Sequence, residues 1–151
     1  LAPQVGTFLI AGPVQVDPID EPWVLDPKVI IAGRIAHDQM HRYAGAMQAA
    51  LIPYSDTSLN YHCSPLRLYD HLATGVPIYA QDTCDQIKHC EAPGLIVRSR
   101  EEILDAIATG LDTHRYNRPI SNYLWDTRGR ALLEAISTAG ARHSKQEDQR
   151  L

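Results

Sequence analysis

Five short apolar runs constrain this chain more than any other feature: Thr7 to Ala11, Val29 to Ala32, Ala49 to Pro53, Val76 to Ala80 and Leu95 to Val97. Stretches of helical spacing separate them. Strands that alternate with helices build βαβ units, because parallel neighbours need a crossover and the crossover helix covers the sheet. The runs lack the in-out alternation of a half-exposed sheet, so both faces are expected to be covered. The prediction is an α/β fold, a parallel sheet flanked by helices. Met40, Tyr43, Ala44 and Met47 fall at i, i+3, i+4, i+7 behind Asp38 as an N-cap, and Leu66, Tyr69, Leu72 and Ala73 form a second helical face. Ser99 to Glu102 reads as a capping box ahead of Ile103, Ile107 and Leu111, and Trp125, Leu132, Leu133 and Ile136 mark a last helix.

One domain over residues 1–140 is expected, followed by a polar, disordered tail over 141–151. Pro13, Pro18, Pro22 and Pro27 rule out a long helix between them. An ordered loop with at most a short helix is expected there, its edge held to the domain by Trp23 and Leu25. No internal repeat is visible. At 151 residues the chain is long enough to bury roughly 70% of its unfolded surface. A start at Leu1 in place of Met suggests a cropped chain.

The segment from Ser64 to Ile78 carries the densest chemistry. Ser64 suits an N-cap and Pro65 the first helical position, which leaves the amides of Leu66 and Arg67 for an anion. Asp70 lies about one and a half turns further in, where a carboxylate can accept both hydroxyls of a ribose. Gly75 suits the left-handed position that ends the helix. In open parallel sheets ligands bind outside the carboxyl ends of the strands, and Gly12, Arg34 with Ile35, Tyr54 with Ser55, and Ser64 all fall at such ends.

Each of these residues also has a plain structural role open to it. Gly12 and Gly33 suit strand-end turns, Arg34 a solvated cation, and Ser64-Pro65 an ordinary helix start. Arg67 is placed either to pair with Asp70 at i+3 or to reach a phosphate. Asp70 is the hardest to dismiss, because Asp is a poor helix former and is costly to bury unpaired.

With 14 basic against 18 acidic residues the net charge is −4, which argues against nucleic acid as a general partner and leaves no polybasic membrane patch. No apolar run approaches the ~20 residues that span a bilayer, and no signal peptide is visible. Cys63, Cys84 and Cys90 are an odd set without paired spacing, so free thiols in a reducing, cytoplasmic setting are expected. His62-Cys63 and His89-Cys90 are zinc-ligand types, yet zinc spacing is missing and no metal site is expected.

The same residues resemble the donor-binding segment of GT-B glycosyltransferases of the "glycosyl transferases group 1", family 4-like type, whose segment runs Ser-Pro-Leu-Lys-x-x-Glu-Tyr-Leu-Ala-x-Gly-x-Pro-Val. Upstream, Phe8 to Val14 looks like the strand ending in Val-Gly-Pro-Val, Val29 to Ile35 like the strand ending in Gly-Arg-Val, and Ala49 to Tyr54 like the strand ending in Pro-Tyr. Downstream, Tyr123-Leu124-Trp125-Asp126 with Leu132 and Leu133 resembles the Ser-Trp-Asp helix. The resemblance covers about Thr7 to Ile136, and only the second of the two Rossmann-like halves of such enzymes, without that half's first strand and helix. Two departures stand out: Asp70 replaces the family Glu, and His62 occupies the place of an acidic residue eight positions before it.

The resemblance implies a C-terminal, nucleotide-sugar-binding half of a retaining glycosyltransferase, of the kind used in polysaccharide biosynthesis. Such an enzyme transfers sugar from a UDP- or GDP-type donor to an acceptor hydroxyl with no required metal or other cofactor. Donor binding would fall to Gly12, Arg34, Ile35, Tyr54, Ser64, Leu66, Arg67 and Asp70: Asp70 to the ribose, Arg34 and the Ile35 backbone to the base, and the α-helix start with Arg67 to the diphosphate. The acceptor site and turnover would need the missing N-terminal half, so this chain alone is expected to be inactive. The alternatives are a non-catalytic nucleotide-binding or regulatory α/β module, or half of a GT-B-like nucleotide-sugar epimerase.

Overall fold

All five apolar runs become strands: β1 (Phe8–Ala11), β2 (Val29–Gly33), β3 (Ala50–Ile52), β4 (Ile78–Gln81) and β5 (Leu95–Arg98). The structure, a computed structural model, describes residues 6–15, 20–118, 121 and 124–148. The helices are α1 (His37–Ala46), α2 (Ser58–Tyr61), α3 (Leu66–Thr74), α4 (Asp85–Lys88), α5 (Arg100–Thr109) and α6 (Trp125–Asp148). Every strand pairing is parallel, but there are two sheets: β1 beside β2, and β3-β4-β5 with β4 central. The chain is therefore α/β, with parallel sheets flanked by helices.

Residues 1–118 form one compact unit and 119–151 a second. The second contains α6, which runs through 141–148, where a disordered tail was expected. Ala141, Lys145, Gln146 and Glu147 are good helix formers and no Pro interrupts them, so the helix continues.

Burial concentrates around the three-stranded sheet. Ala50 and Ile52 of β3, Leu68 and Leu72 of α3, Ile78, Tyr79 and Ala80 of β4, and Ile103 of α5 are all buried. α1 packs on α3 through Ala44, and α5 packs on β4. On α3 the buried pair is Leu68 and Leu72, one turn apart, whereas Leu66 is exposed, against the face expected from sequence. The first sheet departs from expectation too. Ile30 and Ile31 of β2 are 51% and 41% exposed, because two strands present too little surface to be covered on both faces.

Between β1 and β2 the expected short helix is a single 3-10 turn, Pro22–Leu25. Trp23 and Leu25 are exposed, not tucked in, and the Trp23 indole instead donates to the Glu21 carboxylate at 2.6 Å. Residues 16–19 of that segment, Pro18 included, lie outside the described residues. Two caps match their expectations. Gly75 ends α3 at φ 75°, and Ser99 and Glu102 form a reciprocal capping box on α5. Asp38 does not cap α1, since Ala36 holds that position; Asp38 sits in the first turn, where its charge suits the helix dipole.

An irregular strap, residues 111–118, closes the end of the sheet where β3, β4 and β5 begin. Arg115 donates to the carbonyls of Gly45 and Met47 at 2.7 and 2.8 Å and to that of Thr74 at 3.2 Å, the ends of α1 and α3. Arg118, 9% exposed, donates to the carbonyls of Pro93, His71, Leu72 and Val76. Helix C-termini leave carbonyls without intrahelical partners, and these two guanidinium groups take them up. Tyr116 links the strap to Gly75, its N–H donating to the Gly75 carbonyl at 2.8 Å. Among the described residues no helix is long and apolar enough to cross a membrane.

Candidate functional site

At the opposite end of the same sheet, where β3 and β4 finish, the chain does not close on itself in this way. Tyr54 follows β3, half-buried, and its carbonyl accepts from the Thr83 hydroxyl at 2.9 Å, which ties the loop after β3 to the turn after β4. Burial pushes the Tyr54 phenol up from its ordinary value against the opposing pull of Arg67, so it stays a neutral donor. Between Tyr54 and α3 the chain makes the short helix α2, capped by Thr57. Asn60 holds the loop by donating to the Ser55 carbonyl at 2.8 Å. The Tyr61 hydroxyl donates to the Asp85 carboxylate at 3.2 Å, a second tie to α4.

α3 starts one residue later than its sequence suggests. Pro65 is the N-cap, at φ −74° and ψ 103°, and no side chain caps the helix. Pro65 is buried and Ser64 exposed; with the proline outside the helix, Ser64 lies one position too far back to cap it. The first helical N–H groups, those of Leu66 and Arg67, meet no acceptor among the described residues, while the Leu68 N–H donates to the Pro65 carbonyl at 3.0 Å. Both residues are exposed. Asp70, one turn further, is half-buried; among the described residues its carboxylate receives no hydrogen bond and forms no ion pair with Arg67. Of the two roles open to Arg67, helical pairing with Asp70 is not taken up.

Next to Asp70, burial holds the His71 imidazole below its ordinary value, with the Asp70 charge acting against that. Its Nδ1 has no hydrogen-bond partner among the described residues.

The predicted site residues thus fall into two groups. Tyr54, Ser64, Leu66, Arg67 and Asp70 share the carboxyl end of the three-stranded sheet. Gly12, Arg34 and Ile35 share the carboxyl end of the two-stranded sheet, where the Gly12 N–H donates to the Gly33 carbonyl at 2.7 Å. Gly12 and Gly33 both have positive φ, 127° and 65°, with open space where a Cβ would stand. Arg34 is exposed and bonds to none of the described residues. No hydrogen bond or ion pair among the described residues joins the two groups. Thr83 and Cys84, which follow β4, lie at the same end of the three-stranded sheet as Tyr54.

Among the described residues no three His, Cys, Asp or Glu side chains cluster as a metal site would require. Compared with protein-family models, curated proteins and solved structures, the chain finds no match.

Proposed function

We propose that this chain is the Rossmann-like, donor-binding half of a retaining glycosyltransferase that takes a UDP- or GDP-sugar. The observation that carries the proposal is on α3: two N–H groups on exposed residues, an arginine, and one turn on a half-buried carboxylate, the amides without an acceptor and the carboxylate without a hydrogen bond or ion pair among the described residues. A protein gains nothing in stability from leaving a carboxylate half-buried and unpaired. A ligand with an anionic end and paired hydroxyls satisfies both ends of this arrangement. From Leu66 to Asp70 the helix rises about 6 Å, the span between a diphosphate and the ribose it is attached to.

In this reading the α3 dipole, the amides of Leu66 and Arg67 and the Arg67 guanidinium stabilise the charge that builds on the leaving diphosphate. Asp70 accepts the ribose hydroxyls. Arg34 and the Ile35 backbone meet the base, and Gly12 lets the chain approach the diphosphate closely. The acceptor binds mainly on a partner half, which also excludes water, so the chain alone holds the donor without transferring sugar. The setting is the cytoplasm.

Calorimetry with UDP and GDP tests the proposal. A dissociation constant of about 0.1 to 1 mM is expected for at least one of them. Asp70→Ala should weaken it by about 1.5 to 3 kcal/mol, the scale of a hydrogen bond to a charged group, and leave the 2′,3′-dideoxy analogue unchanged. Equal losses for both ligands would place Asp70 in the fold and not on the ribose, and no heat with either nucleotide would remove the proposal.

A further inference from the structure

Two of the three cysteines meet at the crevice beside α3. Cys63 lies in the loop between α2 and α3, half-buried, and Cys84 is the N-cap residue of α4, fully buried. Their sulfurs are 3.8 Å apart, and the Cys84 thiol also lies 3.4 Å from the Cys63 carbonyl. The positions are 21 residues apart in sequence, with α3 and β4 between them, so only the fold brings them together.

We propose that Cys63 and Cys84 are an oxidation site that closes to a disulfide when the protein meets a hydroperoxide. A disulfide bond is about 2.05 Å long, so the sulfurs must approach by a little under 2 Å. Cys63 is flanked by the exposed His62 and Ser64, so the approach falls to its side of the pair and not to the buried Cys84. Cys63 is the half-exposed thiol and reacts first: its thiolate attacks a peroxide oxygen, the O–O bond breaks, and the leaving hydroxide takes a proton as water. The Cys63 sulfenic acid is then attacked by the Cys84 sulfur. Its S–O bond breaks, and hydroxide departs as a second water with the proton Cys84 gives up. Two thiols and one hydrogen peroxide become one disulfide and two waters; the sulfurs are oxidised and the peroxide oxygens reduced.

Burial and the neighbouring Cys84 push the Cys63 thiol up from its ordinary value, which makes the first step slow and protects the pair from casual oxidation. Once formed, the bond ties the loop that leads into α3 to the turn after β4, beside the Tyr54 to Thr83 hydrogen bond. It therefore fixes the start of α3, whatever ligand that start receives. The proposal does not depend on a nucleotide-sugar being that ligand.

The test is a peptide map of the full chain after hydrogen peroxide treatment and alkylation, read by mass spectrometry. The expected product is a Cys63–Cys84 linked peptide that dithiothreitol reverses, unchanged in Cys90→Ser and absent in Cys63→Ser. Because the map is made on the native sequence, it decides the question even where a variant fails to fold. The same oxidation in guanidinium should lower the share of this pairing at least threefold, because the nearer Cys84 and Cys90 close a shorter loop in an unfolded chain. Sulfinic acid at Cys63 beside a reduced Cys84, links to Cys90 in equal amount, or no reaction at all would overturn the proposal.

Discussion

The two ends of the three-stranded sheet are built from similar material and treated in opposite ways. Where the strands begin, Arg115 and Arg118 fill the carbonyls of both helix ends and Tyr116 packs against two glycines; a Cβ on Gly75 would stand 2.6 Å from the Tyr116 carbonyl oxygen. Where the strands end, Arg67 and Asp70 sit one helical turn apart and, among the described residues, use neither each other nor the backbone, while two helix amides meet no acceptor there. The saturated end holds the fold together. The other end is tied through Thr83 to Tyr54 and Tyr61 to Asp85, and leaves the first amides of α3 and the Asp70 carboxylate unused among the described residues, the feature on which the proposed donor site rests.

The largest expected effect that sharpens this contrast is at Arg118. Replacing it with Met keeps much of the volume but takes from the Pro93 and Val76 carbonyls the donor they have here, and from those of His71 and Leu72 one of two donors, which should cost about 3 kcal/mol in urea denaturation. Asp70→Ala, at the other end, should leave stability nearly unchanged while it weakens the nucleotide. A smaller effect separates two glycines of similar conformation. Gly75→Ala combines a positive φ with a backbone clash and should cost about 2 to 3 kcal/mol. Gly33→Ala, with a positive φ but open space around it, should cost about 1 kcal/mol by the same measurement.

The smallest effect concerns His71, whose backbone carbonyl serves the saturated end and whose imidazole is buried on α3. Burial holds its pKa below the ordinary 6.5, so in acid the unfolded chain binds a proton that the folded chain resists. Stability should fall as pH drops below 6.5 toward the folded-state pKa and level off beneath it. His71→Gln should flatten that limb when urea midpoints are compared at about pH 7.5 and about pH 5.5.

What the sequence made legible follows the same divide. Local signals read well: the five strands, the Gly75 helix end and the Ser99 capping box depend on near neighbours alone. The strap did not read at all, because Arg115 and Arg118 bond to carbonyls 25 to 70 residues away and carry no local pattern. Ser64 misled for a related reason. Ser-Pro is a good start signal in general, but burial of Pro65 sets the start one residue later. The continuous apolar runs suggested one covered sheet; periodicity cannot show that β1 and β2 pair apart from the other three. In the candidate site the strand-end rule named Tyr54 and Ser64 and the helix start named Arg67, and the structure puts them at one sheet end; that no Arg67 to Asp70 pair forms among the described residues needed the structure.

Backbone amide NMR of the labelled chain, titrated with UDP and GDP, tests the division of the two ends most directly. In the free protein the Leu66 and Arg67 amides should exchange rapidly with solvent, while the Tyr116 amide, bonded to the Gly75 carbonyl, should be protected. On titration the largest shift changes should fall on Leu66, Arg67 and Asp70, with residues 111–118 unmoved. Changes centred on 111–118, or a start of α3 that is protected in the free chain and indifferent to both nucleotides, would contradict the account.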